Sequence, residues 1–435
     1  MLSHTQNKLV TETGPGTPCG EVLRRYWQPA ALVEELEQTG TVQAGARPVK
    51  PVTLLGEALV LFRDEAGNYG LVARHCPHRG ADLAYGRCED GGLRCPFHGW
   101  LFAADGACLE QPAEPAGSTF YKKIRAVAYP CRVAGGVVFA YLGPGDPPPL
   151  PNCDAVAAPD AFSFAFKGYL ECNWLQSLEV GIDPAHASFL HRFLTDDQRE
   201  HGLQFEGGPE GSDLPVTQVL RDNDCPRIDV EETGYGMRIF ALRELSDAET
   251  HVRVTNLLFP NAIVIPMSRD MTITQWQVPV DDTNTYWYAI FSAFETQVDK
   301  KTMRDQRLEL YTLPDYKPRV GRFNGYGFDP VEQETQTYTG MGHDINVHDQ
   351  WAVESMGPIQ DRTAEHLGTS DKGITAYRRM LLAAIDAPDG DALPGLNGSP
   401  DRPVAVDTMA PAASWQDHWP QVDRARRQRS AWADD

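Results

Sequence analysis

The chain has 435 residues, 42% of them hydrophobic and nine of them tryptophan, which is enough for two or three globular domains and excludes a disordered protein. Its 39 Lys and Arg against 60 Asp and Glu give a formal charge of −21, unfavourable for nucleic acid and for anionic membrane surfaces. No apolar run approaches the roughly 20 residues of a membrane span, and the opening MLSHTQNKLVTETG lacks the pattern of a secretion signal, so a cytoplasmic protein is expected.

Residues 1–45 read as a short helical entry packing on a later domain, with Val22, Leu23, Tyr26 and Trp27 on one side at helical spacing. From 46 to 145 the pattern changes to short strands and turns, such as Ala58–Phe62, then Asp64–Asn68, then Tyr69–Ala73. This predicts a small all-β unit. The stretch GPGDPPP at 143–149 is a stiff linker. Residues 151–390 predict a larger α+β domain. A strand at 162–170 and a helical pattern over 173–194 come first. Antiparallel strands follow at Met237–Leu242, Val252–Leu258, Ala262–Pro266, Met271–Val278 and Tyr286–Phe294. Helices are expected at 298–312, 349–366 and 371–386. Residues 391–435, rich in Pro, Asp and Gly, read as a surface strap or partly disordered tail.

Within the all-β unit, Cys76-Pro77-His78 is followed after sixteen residues by Cys95-Pro96-Phe97-His98. Each half offers one thiolate and one imidazole. That set suits a [2Fe–2S] cluster with Cys76 and Cys95 on one iron and His78 and His98 on the other. A zinc site is the alternative, but zinc sites group like ligands, whereas here each half mixes them and carries a Pro and a Gly. The segment CPHRGADLAYGRCEDGGLRCPFHGW resembles the Rieske family. Rieske proteins of respiratory chains carry two further Cys that tie the cluster loops by a disulfide. The matching positions here are Ala81 and Phe97, which implies no loop disulfide and a potential toward the lower end of the range of roughly −150 to +300 mV.

A second constellation runs Glu179, Asp183, His186, His191. Two His plus a distant carboxylate form the face that holds Fe(II) with open positions for dioxygen. His186 and His191 stand about 140° apart on an ideal helix, so the helix must distort, and a π-bulge is one way. Two ordinary histidines are the alternative reading. The downstream carboxylate candidates are Asp344, Asp349, Glu354 and Asp361. Asp349 is preferred because it heads an otherwise apolar face with Ala352, Val353 and Met356.

GTPCGEVLRRYW, NWLQSLEVGIDPAHASFLHRF and SMGPIQDRTAEHLG together make the chain resemble Rieske non-heme iron oxygenases, catalytic subunit, of the phthalate dioxygenase branch. The resemblance implies a helix-grip catalytic domain behind the Rieske domain and a homotrimer or dimer of trimers. It implies an NAD(P)H-dependent flavin and iron–sulfur reductase as electron donor. Asp183 would bridge a metal His to the partner subunit's His98, and Glu179 and Asn173 would hold the helix. The implied function is O2-dependent cis-dihydroxylation of an aromatic, carboxylated, phthalate-like substrate. Hydroxylation or O-demethylation of a methoxy- or phenoxy-arene is the second reading, and a non-catalytic Rieske electron carrier is the third. A carboxylate substrate needs a buried cation, for which Arg243 is the candidate. Leu178, Ile182 and Phe189 are candidate pocket walls. Glu206 stands where dicarboxylate-binding relatives would be expected to carry a basic residue, a departure that counts against phthalate itself.

Overall fold

Short apolar runs broken by tight turns can bury only one small core, and they do so from Val49 to Tyr129 in two antiparallel sheets. The computed structural model describes residues 1–36, 48–194, 216–388 and 393–433. One sheet orders Val49–Leu54, Glu57–Arg63, Tyr69–Ala73 and Ala128–Tyr129. The other orders Arg87–Glu89, Gly92–Arg94, Leu101–Phe102 and Cys108–Glu110. Val60, Phe62, Val72, Leu83, Leu93, Trp100 and Phe102 form their common core, and Cys76 and Cys95 lie inside it.

The entry segment is helical at His4–Thr11 and Pro18–Arg24, each opened by a capping Ser3 or Thr17. It also contributes a buried strand, Gln28–Leu32, which pairs with Val137–Ala140. The all-β unit and the entry are therefore stitched together across residue 46. Glu35 extends the seam, pairing with Lys50 at 2.8 Å and with Lys167 of the large sheet at 2.7 Å.

The second domain is built on one antiparallel sheet. Its order is Ser163–Leu170, Thr285–Ala293, Met271–Pro279, Ala262–Pro266, Glu249–Leu258, Gly236–Glu244, Arg227–Thr233. The long strands stand where their apolar alternation put them. Arg227–Thr233 was not anticipated because this edge strand is mostly polar and exposed. Val406–Pro411 adds an eighth strand beside Glu249–Val254. The C-terminal segment is thus part of the sheet rather than a loose tail. Asp407 pairs with both His251 and Arg253, and the helix Trp415–Arg429 packs Trp415 and Trp419 on Phe240. Its Pro- and Asp-rich flanks had hidden that pattern. Among the described residues no helix is long and apolar enough to cross a membrane.

Two helices differ from expectation. The pattern at 173–194 is not one bulged helix but two short ones, Trp174–Gly181 and Ala187–Leu190, separated by a turn. Pro184 explains the break, because it disfavours helical backbone at Asp183 and lacks an N–H for the ladder. The helix expected at 349–366 is Ile345–Ser355. It starts where Asp344 accepts from Asn346 N–H at 2.9 Å, and stops before Gly357 (φ +91°) and Pro358.

Side-chain bridges lock these elements. Asn173 caps its helix by accepting from Leu175 N–H at 3.1 Å, and donates to Thr11 O and Asp282 O at 2.9 and 2.7 Å. Gln176 donates to Val353 O and Gly357 O at 2.7 and 2.8 Å, and accepts from Gln360 N–H at 2.9 Å. Buried Glu179 takes Arg362 at 2.9 Å and Arg378 at 2.5 Å. Burial alone would raise the Glu179 carboxyl, but the two guanidiniums outweigh it and hold it below the usual range.

Removing Glu179 leaves Arg362 buried without a counter-charge and Arg378 with Glu365 alone, so Glu179→Ala is expected to cost about 3–5 kcal/mol in a denaturant melt. Because its folded carboxyl titrates below the ordinary carboxylate value, its contribution is complete above about pH 4.5 and fades as pH falls through the lower folded value. Glu179→Gln should flatten that acid limb of the stability profile. Gln176→Leu orphans Val353 O and is expected to lower stability by roughly 1–3 kcal/mol.

Candidate metal centres

The two cluster loops close in the same way. Gly80 N–H donates to Cys76 O and Gly99 N–H to Cys95 O, at 2.8 and 2.9 Å. Cys76 N–H donates to Ala81 O and Cys95 N–H to Trp100 O, both at 2.8 Å. Both glycines sit at positive φ, +77° and +74°, which a side chain resists and which bends each loop back on its cysteine. The cysteines are buried at 3% and 2% exposure, while His78 and His98 are half-buried at the rim. The imidazoles meet edge to face at 4.6 Å, and Trp100 stacks on His78 at 4.2 Å. All nine cysteines are free, so no disulfide joins the loops.

These residues fit a [2Fe–2S] cluster. His98 Nδ1 is buried without a hydrogen-bond partner, the state of a nitrogen reserved for a metal. Burial pushes the Cys76 thiol up to about 11, with neighbouring Cys95 adding to it, so a bound cation is what would keep it a thiolate.

The second centre assembles at the Pro184 break. The turn carries His186 to the head of one short helix and leaves His191 at its end. Their Nε2 atoms lie 3.2 Å apart. Asp349, on the second turn of Ile345–Ser355, brings Oδ1 to 3.2 Å from His191 Nε2 and 3.7 Å from His186 Nε2. The three are the metal-ligating group found among the described residues. Asp349 Oδ1 is buried and makes no hydrogen bond despite these approaches. His186 Nδ1–H donates to the Asp183 carbonyl, which leaves its Nε2 as a bare lone pair. A buried acceptor set facing itself is costly unless a cation sits between, so the residues fit a mononuclear metal.

The rival carboxylates are occupied elsewhere. Asp344 caps its helix and pairs with Arg307. Buried Glu354 accepts from Glu171 N–H and Tyr326 OH at 2.9 and 3.0 Å. Exposed Asp361 turns back on Thr363. The face that picked out Asp349 is itself different, since Val347, His348, Gln350, Val353 and Glu354 are buried and Met356 is exposed. The inward stripe includes the polar residues His348, Gln350 and Glu354, which an apolar pattern passes over.

Asp183 is half-buried. Its Oδ1 accepts from Ala185 N–H at 3.0 Å. Burial holds its carboxyl above the ordinary range. Arg243 is 1% exposed and lies against the turn, donating to Asn223 O at 3.0 Å, Ser188 Oγ at 3.3 Å and Pro184 O at 3.4 Å, with Nη1 unpaired. Leu178 and Ile182 are fully buried in the main core, and Phe189 is 44% exposed beneath the Arg192 guanidinium. Glu206 lies outside the described residues. The sequence reading missed Gln176, Arg362, Arg378 and His348. Their signal is long-range pairing, and His348 also stands beside Asp349 in the chain.

The Rieske [2Fe-2S] domain matches residues 26–129, and the LigXa C-terminal domain like family matches 140–396. Phthalate 4,5-dioxygenase oxygenase subunit of Pseudomonas putida is 35% identical over 403 residues, covering 89% of this chain and 87% of that protein. 5,5'-Dehydrodivanillate O-demethylase oxygenase subunit of Sphingobium sp. (strain NBRC 103272 / SYK-6) is 37% identical over 394 residues, covering 89% and 81%. Among solved structures, NdmA QL mutant of Pseudomonas putida CBB5 with theobromine shares the fold at TM-score 0.57, with 19% identity over 90% of this chain and 98% of that one. The two fitted metal sites, the two matched domains and the full-length relatives agree that this chain belongs to the Rieske non-heme iron oxygenases, as an oxygenase subunit of the phthalate dioxygenase type.

Proposed function

We propose that this chain is the terminal oxygenase component of a multicomponent system that cis-dihydroxylates an aromatic, carboxylated substrate. Both atoms of O2 enter adjacent ring carbons, with two electrons and two protons completing the diol. The observation that carries this reading is the convergence of His186, His191 and Asp349 on one point, with Asp349 Oδ1 buried and unpaired. Three protein ligands on one face leave coordination positions open, and iron bound there would supply the chemistry of dioxygen activation.

The chain's own residues position the rest. Cys76 and Cys95 would anchor the cluster in an apolar core, while His78 and His98 present their rings at the surface. An NAD(P)H-dependent flavin and iron–sulfur reductase is the proposed electron donor; in a solved neighbour, carbazole 1,9a-dioxygenase, the oxygenase is in complex with a ferredoxin, a separate electron-transfer protein. Asp183 holds His186 through its carbonyl and caps the turn with one carboxylate oxygen. Its other oxygen makes no hydrogen bond among the described residues. It is the proposed acceptor for the partner subunit's His98, in a homotrimer or dimer of trimers working in the cytoplasm. Arg243 is the proposed cation for a substrate carboxylate, since its Nη1 is buried and unpaired.

A second reading rests on the 37% identical relative, an O-demethylase. In that reaction a methoxyarene, O2, two electrons and two protons give a phenol, formaldehyde and water. The two readings separate on product: a diol carrying both atoms of 18O2, or formaldehyde.

Isolated protein should contain about three irons and two acid-labile sulfides per chain and give a Rieske EPR signal on reduction. Two irons with no gain in oxygen uptake on adding Fe(II) would remove the mononuclear site. Asp183→Asn should retain both metals yet lose about 10–100-fold in coupled turnover. Full coupled activity in that variant would end the bridging role. Arg243→Gln should raise KM for an aromatic acid and leave KM for a neutral arene unchanged; an equal rise for both would point to distortion of the turn instead.

A further inference from the structure

We infer that His348, itself not a ligand, is a positioning residue that fixes the tautomer and ring orientation of His191 so that Nε2 is its metal-binding nitrogen, an inference resting on the iron reading above. His348 is fully buried on the first turn of Ile345–Ser355, immediately before Asp349. Its Nε2 lies 2.8 Å from Gly342 O. A carbonyl only accepts, so His348 carries its proton on Nε2, and its Nδ1 is a bare acceptor. That acceptor faces His191 Nδ1 at 3.5 Å, and the two rings are inclined by 24°. Two bare ring nitrogens would repel at this position. A proton on His191 Nδ1 turns the contact into a long hydrogen bond and leaves the lone pair on Nε2. That nitrogen stands 3.2 Å from both Asp349 Oδ1 and His186 Nε2.

The other ligand shows why this residue is needed. His186 is oriented from its own turn, by the Asp183 carbonyl. Among the described residues no backbone carbonyl takes that role for His191; its Nδ1 contact comes from the helix that also supplies the carboxylate. Asp349 and His348 are consecutive, so one helix delivers a ligand with one side chain and aims a ligand with the next. His348 is not a fourth ligand, because its two nitrogens face Gly342 O and His191 Nδ1 rather than the point where the three ligand atoms meet.

The test compares His348→Phe and His348→Asn in the full chain with its cluster intact. Both lose the imidazole N–H bonded to Gly342 O. The Asn amide oxygen keeps an acceptor near the Nδ1 position and Phe does not. Fe(II) affinity is measured by competition with a ferrous chelator after removal of the mononuclear ion. The cluster spectrum and its two irons report folding. His348→Phe is expected to weaken Fe(II) binding about 10–100-fold, and His348→Asn to stay within about threefold of the parent. Unchanged affinity in His348→Phe, or equal weakening in both variants, overturns the inference. A parent chain that takes up no mononuclear ion would remove the iron reading, and this inference with it. A normal parent with an unaffected Phe variant would remove this inference alone.

Discussion

The iron site depends on two helices held at a fixed separation, and the Gln176 amide is the contact that sets it. The His-bearing segment follows Trp174–Gly181 directly, while Asp349 rides on Ile345–Ser355, with six of the eight strands of the large sheet between them in sequence. Ligand atoms must meet within a few tenths of an ångström, and packing of apolar side chains alone does not define distance that sharply. Gln176 reads two carbonyls at the end of one helix and one N–H beyond it, all from the body of the other. Glu179 adds charge to the same joint. It binds Arg362 just downstream of the Asp349 helix and Arg378 on the helix Lys372–Asp386. A buried carboxylate is tolerated there because two guanidiniums surround it, and the cost of burying all three ties the elements to one arrangement.

The cluster end solves a different problem. Its ligands lie on two short loops that are close in sequence, so the fold only has to bring the loops together. Identical backbone closures do that, with a left-handed glycine in each. The cysteines face the core and the histidines face outward. With a cluster bound, the rim-placed imidazoles would make the exit for an electron, whereas the cysteine sulfurs would be screened from solvent. Asp183 is arranged in the complementary sense. It is half-buried, joined to the iron site through its carbonyl, and carries a carboxylate oxygen with no partner among the described residues. An outward-facing donor and a half-exposed acceptor on one chain would be the two halves of the proposed contact between chains.

These differences explain what was legible in the sequence. The cluster loops could be read residue by residue, because every ligand and both glycines fall within one short segment. The His pair could be read as a motif, but not its geometry, because the decisive residue is Pro184, which divides the helix instead of letting it bulge. Asp349 was reachable through the rule that a carboxylate on an inward face needs a partner, even though the face itself was misplaced, because the buried stripe carries polar His348, Gln350 and Glu354 that an apolar pattern passes over. Gln176, Arg362 and His348 were out of reach for a common reason. Each is a plain polar residue until a partner far along the chain arrives, and periodicity carries no information about partners. The strand Val406–Pro411 is the same lesson at the level of the fold, since its pairing with Glu249–Val254 makes it a strand more than its own composition does.

Arg243 shows where geometry carries two meanings at once. A guanidinium buried this deeply is normally paired with a carboxylate, yet this one has two carbonyls, a hydroxyl and one idle nitrogen. Burial, reinforced by the nearby Arg253 charge, brings its pKa down to about 10, which still leaves it protonated at neutral pH. This charge, with no direct carboxylate partner among the described residues, sits behind the segment that carries both histidines, and it grips Pro184 O on the turn before His186 and Ser188 Oγ on the short helix between His186 and His191. As a clamp it keeps the ligand spacing. As a cation without a direct carboxylate partner among the described residues, it would lower the cost of bringing an anion to the same place. Both effects act through one position, so a substrate carboxylate reaching Nη1 would complete the hydrogen bonding of the residue that holds the iron ligands. Substrate binding and ligand geometry would then be coupled through Arg243, with no moving element required beyond the side chain itself.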